Sequence, residues 1–77
     1  MADEHEEPLA AEAVRARLRS ACAAAGGIRP WSALHGVSPG LVSEVLAGRR
    51  EPASRVLAPL GLRRLAHAYG PVLEVGA

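Results

Sequence analysis

The sequence predicts a compact all-α domain of four to five short helices with a short C-terminal extended segment. Three observations predict this class. A chain of 77 residues allows one small domain. Apolar residues recur at helical spacing, and a glycine ends each periodic segment. Because Val, Ile and Leu number only eighteen and Phe is absent, the core is thin, which favours a homodimer.

Two helices are predicted on either side of the pair Gly26-Gly27. The first runs from Leu9 to Ala25 and the second from Ile28 to His35, where Pro30 suits the first turn. The first helix carries an apolar stripe formed by Leu9, Val14, Leu18, Ala21, Cys22 and Ala25. We therefore expect Cys22 to be a buried packing residue.

A third helix is predicted from Ser38 to Ala47. Gly36 ends the helix before it, Ser38 is a favourable N-cap residue, and Pro39 is favourable at the first helical position. Gly48 ends the third helix.

The C-terminal third of the sequence does not predict a single type of secondary structure. Residues 53–60 predict a short fourth helix ending at Gly61, although Pro59 is unfavourable inside a helix. The residues LRRLAHAY after Gly61 fit either a helix or a strand. Gly70-Pro71 indicates a turn, and VLEV after it has strand propensity, so this segment could pair across a dimer.

Charge is distributed unevenly along the chain. The formal net charge is +1, yet four acidic residues lie in the first seven positions. Residues 13–64 contain all nine arginines and two glutamates, a formal charge of +7. We interpret residues 1–8 as a disordered acidic tail on a basic body that suits an anionic partner. Solvated arginines without a partner are the alternative.

Several classes of function are not expected. Cys22 is the sole cysteine and the three histidines are far apart, which leaves no disulfide or usual zinc site. No cofactor, small-molecule substrate or catalytic constellation is predicted, so we do not expect an enzyme. No apolar run is long enough for a membrane span, and MADEHEEP is no secretory signal, which favours a cytoplasmic location.

Residues 28–50 have the pattern of a helix-turn-helix. Ser32 is a small residue four positions before Gly36, which allows two helices to cross closely. Apolar side chains are expected to fill the angle between them: Trp31, Leu34, Val37, Val42 and Val45. Through the run GVSPGLVSEVLAGRREP, the chain resembles the phage Cro/CI-type, lambda-repressor-like helix-turn-helix DNA-binding domains.

The resemblance covers about residues 9–62 and implies the following organisation. The helix from 38 to 47 would be the recognition helix in the major groove of double-stranded DNA. Residues 63–77 would be a C-terminal extension and a possible dimerisation segment. The DNA-binding positions carried over are Arg29, Ser38, Pro39, Gly40, Ser43, Glu44, Ala47, Arg49 and Arg50. Arg29, Arg49 and Arg50 would contact phosphates.

The implied function is a sequence-specific transcriptional regulator, a phage or prophage repressor acting as a dimer. The outward positions of the recognition helix hold no Arg, Asn or Gln, so direct base readout is expected to be modest. A protein-binding helix-turn-helix module, such as a phage anti-defence inhibitor or an antitoxin-like partner, is the alternative. The acidic tail and the weak base-reading helix favour that alternative.

Overall fold

The computed structural model describes residues 9–65 and 68–72, and this part of the chain is mostly helical. The α-helices are α1 (Ala11–Ala25), α2 (Ile28–His35), α3 (Pro39–Leu46) and α4 (Ser54–Leu57), and a 3₁₀ turn follows at Ala58–Leu60. Two short strands, β1 (Leu62–Arg64) and β2 (Tyr69–Pro71), form an antiparallel pair. The structure therefore confirms the prediction of a small, mostly helical domain, and it adds a two-stranded sheet.

The start of α1 differs from the prediction. Leu9 is not helical; it forms an isolated antiparallel bridge with Tyr69. The two residues exchange both backbone hydrogen bonds, at 2.7 and 2.9 Å. This contact joins positions sixty residues apart, which local periodicity cannot reveal. The rest of the stripe is correct, since Val14, Leu18 and Cys22 are buried.

The ends of α2 and α3 follow the predicted local chemistry. Gly36 adopts a left-handed conformation with φ of 67°, and Val37 N donates to Ser32 O at 2.9 Å. An alanine Cβ at position 36 would meet no atom within 4 Å, so the backbone conformation is what favours glycine there. Ser38 Oγ accepts a hydrogen bond from Leu41 N at 3.2 Å, which confirms the predicted N-cap.

The segment predicted as a fourth helix is divided in two. Regular α-helix ends at Leu57, and Ala58–Leu60 continues as a 3₁₀ turn that contains Pro59. Proline lacks an N–H and its ring clashes with the carbonyl of the preceding turn, so the α-helix cannot extend through it. Gly61 ends the segment in a left-handed conformation, as predicted.

The hairpin corrects the interpretation of the C-terminal residues. Gly70 and Pro71 are paired strand residues opposite Arg63 and Leu62, so Gly70-Pro71 is not a turn. The chain reverses earlier, where Leu65 N donates to Ala68 O at 2.7 Å. Val72 is exposed and follows the strand. The rest of the predicted VLEV strand, the acidic tail of residues 1–8 and His67 lie outside the described residues. The predicted domain boundary after residue 62 falls within β1.

The helices enclose one buried cluster, which we call the helical core. It consists of Leu18, Cys22, Trp31, Val37, Val42, Val45 and Val56. Trp31 and the three valines of the turn and α3 are therefore buried as predicted. Leu34 is not: its side chain is 70% exposed. Leu34 is three positions after Trp31 on α2, and the expectation that both fill the angle between the helices was wrong for Leu34.

Ser32 is a buried polar residue of α2. Its side chain is 1% exposed, and Oγ has no hydrogen-bond partner among the described residues. Burying a hydroxyl without a partner costs free energy, whereas its small size lets the helix approach its neighbours. Its burial agrees with the predicted close helix contact.

We expect Ser32→Ala to leave the free energy of unfolding unchanged or to raise it by about 1 kcal/mol, because the unpartnered hydroxyl is removed. Ser32→Leu should lower it by about 1–3 kcal/mol through overpacking. Urea unfolding monitored by circular dichroism measures both. A loss of stability in the alanine variant would show that the hydroxyl has a partner.

A second buried cluster, the hairpin core, joins the sheet to the helices. It consists of Val14, Leu57, Leu62 and Tyr69. The Tyr69 hydroxyl donates a hydrogen bond to Glu51 Oε1 at 2.7 Å, and Arg64 lies 3.5 Å from the same oxygen. Burial raises the pKa of Tyr69, and the bond to Glu51 raises it further.

This pKa shift predicts a loss of stability at alkaline pH. Since the pKa is raised in the folded state, Tyr69 contributes stability below the ordinary tyrosine pKa near 10, and this contribution disappears as pH rises through the folded-state value. Tyr69→Phe should cost about 0.5–1.5 kcal/mol at pH 7 and show a flatter decline above pH 10. Urea unfolding at several pH values measures this, and equal slopes in the two proteins would contradict it.

Candidate nucleic-acid interface

The outward surface of α3 matches the positions predicted from the sequence. Ser38, Pro39, Gly40, Ser43 and Ala47 are exposed, and Glu44 is half-buried. Val42 and Val45 hold the opposite face of the helix in the helical core. The exposed face therefore presents two hydroxyls and small apolar groups, with Glu44 as its charged side chain.

Glu44 forms an ion pair with Arg49, which follows the helix. Arg49 Nε lies 3.6 Å from Glu44 Oε2, and the two side chains are 65% and 42% exposed, respectively. The backbone supports this geometry, because Arg49 N also donates to Glu44 O at 3.0 Å. An exposed pair of this kind contributes little stability. It does offset the charge of Arg49, which makes Arg49 a weaker candidate for a phosphate contact than the sequence suggested.

A groove lies along the N-terminal part of α3. Its volume is about 640 Å³, and it is lined by Ser38, Gly40, Leu41, Glu44, Arg50, Ala53 and Arg55. We call it the α3 groove. Arg50 reaches it because the chain after α3 returns beside the start of the helix. Arg50 and Arg55 have no acidic group within 4.0 Å among the described residues.

Sequence reasoning missed Arg55. It lies in the short α4 (Ser54–Leu57), outside the segment 28–50 that carries the helix-turn-helix pattern. The amphipathic pattern of residues 53–60 could have indicated that Arg55 is exposed. With Val56 and Leu57 facing inward, the neighbouring Arg55 had to face outward. Its proximity to α3 depends on the path of the loop, which the pattern does not specify.

Arg29 occupies a separate position. It lies exposed in the first turn of α2, whose N-terminus has no side-chain cap. Exposed amides and the positive end of the helix dipole favour an anion at such a position. No hydrogen bond or ion pair among the described residues connects Arg29 with the α3 groove. Arg50 lines the α3 groove, whereas Arg29 is not among the residues that line it.

Two arginines of α1 remain exposed, whereas the third approaches α3. Arg17 and Arg19 are exposed. The guanidinium carbon of Arg15 lies 4.0 Å from the position that a Cβ on Gly48 would occupy. Gly48 follows the C-terminal end of α3 and has φ of 81°. The Arg15 side chain therefore reaches the residue that follows α3.

The described residues also bear on metal, membrane and thiol chemistry. Within residues 9–65 and 68–72, no three His, Cys, Asp or Glu side chains are arranged to hold a metal ion. No helix in the same ranges has the length and apolar character that crossing a membrane requires. Cys22 is buried, and burial raises the pKa of its thiol, as expected for a packing residue.

Comparison of the chain with protein-family models, with curated proteins and with solved structures gives no match.

Proposed function

We propose that this chain is a sequence-specific DNA-binding regulator of the helix-turn-helix type. In this proposal α3 enters the major groove with its exposed face toward the base edges. The proposal is supported by one observation. The exposed face of α3 has small side chains, and Arg50 and Arg55 line the same groove at the N-terminal part of this helix. The basic body, with a formal charge of +7 over residues 13–64, supplies the attraction to a polyanion.

The small side chains of α3 support close approach to the DNA. Ser38 and Ser43 are able to hydrogen-bond to several bases, and Gly40 adds no bulk at the leading end of the helix. Such a surface gives modest discrimination per half-site. We therefore propose that two copies bind a pseudo-palindromic operator and repress transcription by covering a promoter, with DNA shape adding to specificity.

Anisotropy titration with a random-sequence duplex tests DNA binding. Repeating it at several salt concentrations distinguishes the binding of one copy from that of two. Arg29, Arg50 and Arg55 from two copies give six phosphate contacts, which predict a slope of about −5 in log K against log salt. The affinity should then fall about 10³-fold between 50 and 200 mM salt. One copy with three contacts predicts a slope of about −3. No binding at low salt would rule out the proposal.

Selection of bound duplexes from a random pool tests sequence specificity. A dimer should enrich two half-sites separated by about one helical turn, or 10–10.5 base pairs. Enrichment of no sequence, together with salt-dependent binding, would limit the function to non-specific DNA binding. Recovery from host extract of one stoichiometric protein, resistant to nuclease, together with no DNA binding, would favour the protein-binding alternative.

A further inference from the structure

Glu44 is the one ionisable side chain of α3, and it extends from the exposed face of this helix. The residues one turn before and after it on that face, Gly40 and Ala47, are small and exposed. Beyond the neighbouring residues of the chain, a Cβ placed on Gly40 would contact only Ser38 Oγ, at 3.5 Å. Glu44 therefore has the longest side chain on this face, and the surface one turn before it is open.

The carboxylate of Glu44 is held from one side by Arg49. Arg49 Nε lies 3.6 Å from Glu44 Oε2, and the Arg49 amide donates to the carbonyl oxygen of Glu44 at 3.0 Å. An ionised carboxylate has about four lone-pair sites, so one contact leaves most of its acceptor capacity free. The guanidinium also offsets the negative charge that DNA phosphates would repel. Glu44 thus presents a positioned acceptor with a compensated charge.

The chemistry of a carboxylate restricts the bases that it can face. An ionised carboxylate accepts hydrogen bonds and donates none. In the major groove the donors are the N4 amino group of cytosine and the N6 amino group of adenine. Adenine carries the acceptor N7 beside N6, and guanine and thymine present acceptors there, all of which repel a carboxylate. Cytosine is therefore the base that suits Glu44 best.

We propose that Glu44 selects a cytosine at one position of each half-site by accepting a hydrogen bond from its N4 amino group, with Arg49 as the residue that positions the carboxylate. This inference rests on the proposed function, because it requires α3 to lie in the major groove. Ser38 and Ser43 on the same face both donate and accept, so they tolerate several bases. Glu44 supplies discrimination that the serines lack.

Selection of bound duplexes with the unmodified chain, Glu44→Gln and Glu44→Ala tests the base choice. The unmodified chain should enrich cytosine at one position of each half-site. A glutamine pairs with N6 and N7 of adenine, so Glu44→Gln should change that position to adenine. Glu44→Ala should show no preference there, while the other enriched positions stay the same. In the unmodified chain, replacing that cytosine by thymine should weaken binding about fivefold or more.

Two matched controls leave Glu44 in place. Ser43→Ala changes the adjacent exposed residue, and Glu12→Gln removes an exposed carboxylate from α1. Both variants should still enrich the cytosine. If Glu44→Ala also enriched it, or if the unmodified chain bound DNA without enriching any position, the base choice would be overturned while DNA binding stands. If no duplex is bound even at low salt, the proposed function fails and the base choice fails with it.

Arg49→Ala separates positioning from a phosphate contact. Loss of a positioning residue should reduce the preference for cytosine over thymine and change the affinity for a random-sequence duplex little. Loss of a phosphate contact would instead weaken binding to every duplex and leave the preference unchanged. Arg49→Lys returns a cation to this position and should recover part of the preference. An unchanged preference in a folded Arg49→Ala variant would overturn the positioning role.

Discussion

Replacing both Arg50 and Arg55 by alanine is expected to lower the affinity for duplex DNA by about 10- to 100-fold in low salt. Each guanidinium lines the α3 groove and has no acidic partner among the described residues, so each is available for one phosphate. Losing one phosphate contact reduces the salt slope by about 1. The slope of log K against log salt should therefore become less negative by about 2 for each bound subunit.

Two control variants make this result specific. Arg17→Ala removes the same charge from an exposed position of α1 and should have a smaller effect. Arg49→Ala should also have a smaller effect, because Glu44 offsets that charge at 3.6 Å. If Arg17→Ala weakened binding as much as the groove variants, the contact surface would lie on α1 instead of α3. Circular dichroism checks that every variant is folded.

Leu18→Ala is expected to lower the free energy of unfolding by about 3–5 kcal/mol. The side chain is fully buried in the helical core beside Cys22, Trp31 and the valines. Its truncation removes apolar contacts and leaves a cavity that the surrounding helices fill incompletely. A domain of this size has a total stability of roughly 4–12 kcal/mol. A large share of that stability is therefore lost, which urea or thermal unfolding measures directly.

Leu34→Ala is the matched control, since the same atoms are removed from the helix that contains Trp31. With 70% of its side chain exposed, Leu34 should contribute about 0.5 kcal/mol or less. An equally large loss in this variant would contradict its exposed position. A loss that depends on protein concentration would instead indicate that a second copy covers Leu34.

The helix boundaries of the central part of the chain could be predicted from the sequence because their causes are local. Ser38 caps α3 with its own side chain, and Gly36 takes the left-handed conformation that ends α2. The apolar spacing likewise predicted which valines are buried, since a helix fixes which residues share a face.

The parts that could not be predicted depend on contacts between distant residues. Leu9 has the spacing of a helical residue, yet its backbone pairs with Tyr69. Gly70-Pro71 has the composition of a turn, yet both residues pair with β1. In each case a partner remote in sequence decided the conformation. The α3 groove is similar, because Arg55 joins Ser38 and Gly40 only through the path of the intervening loop.

The pairing of Leu9 with Tyr69 has a consequence for the order of folding. Most of the helical contacts form between elements that follow one another, and these require little loop closure. The bridge instead connects positions sixty residues apart, so its entropic cost is offset only after the helices have assembled. We therefore expect the pairing to form after the helices have packed together. Because Tyr69 belongs to β2, a change that releases this strand is expected to release the backbone of Leu9 as well.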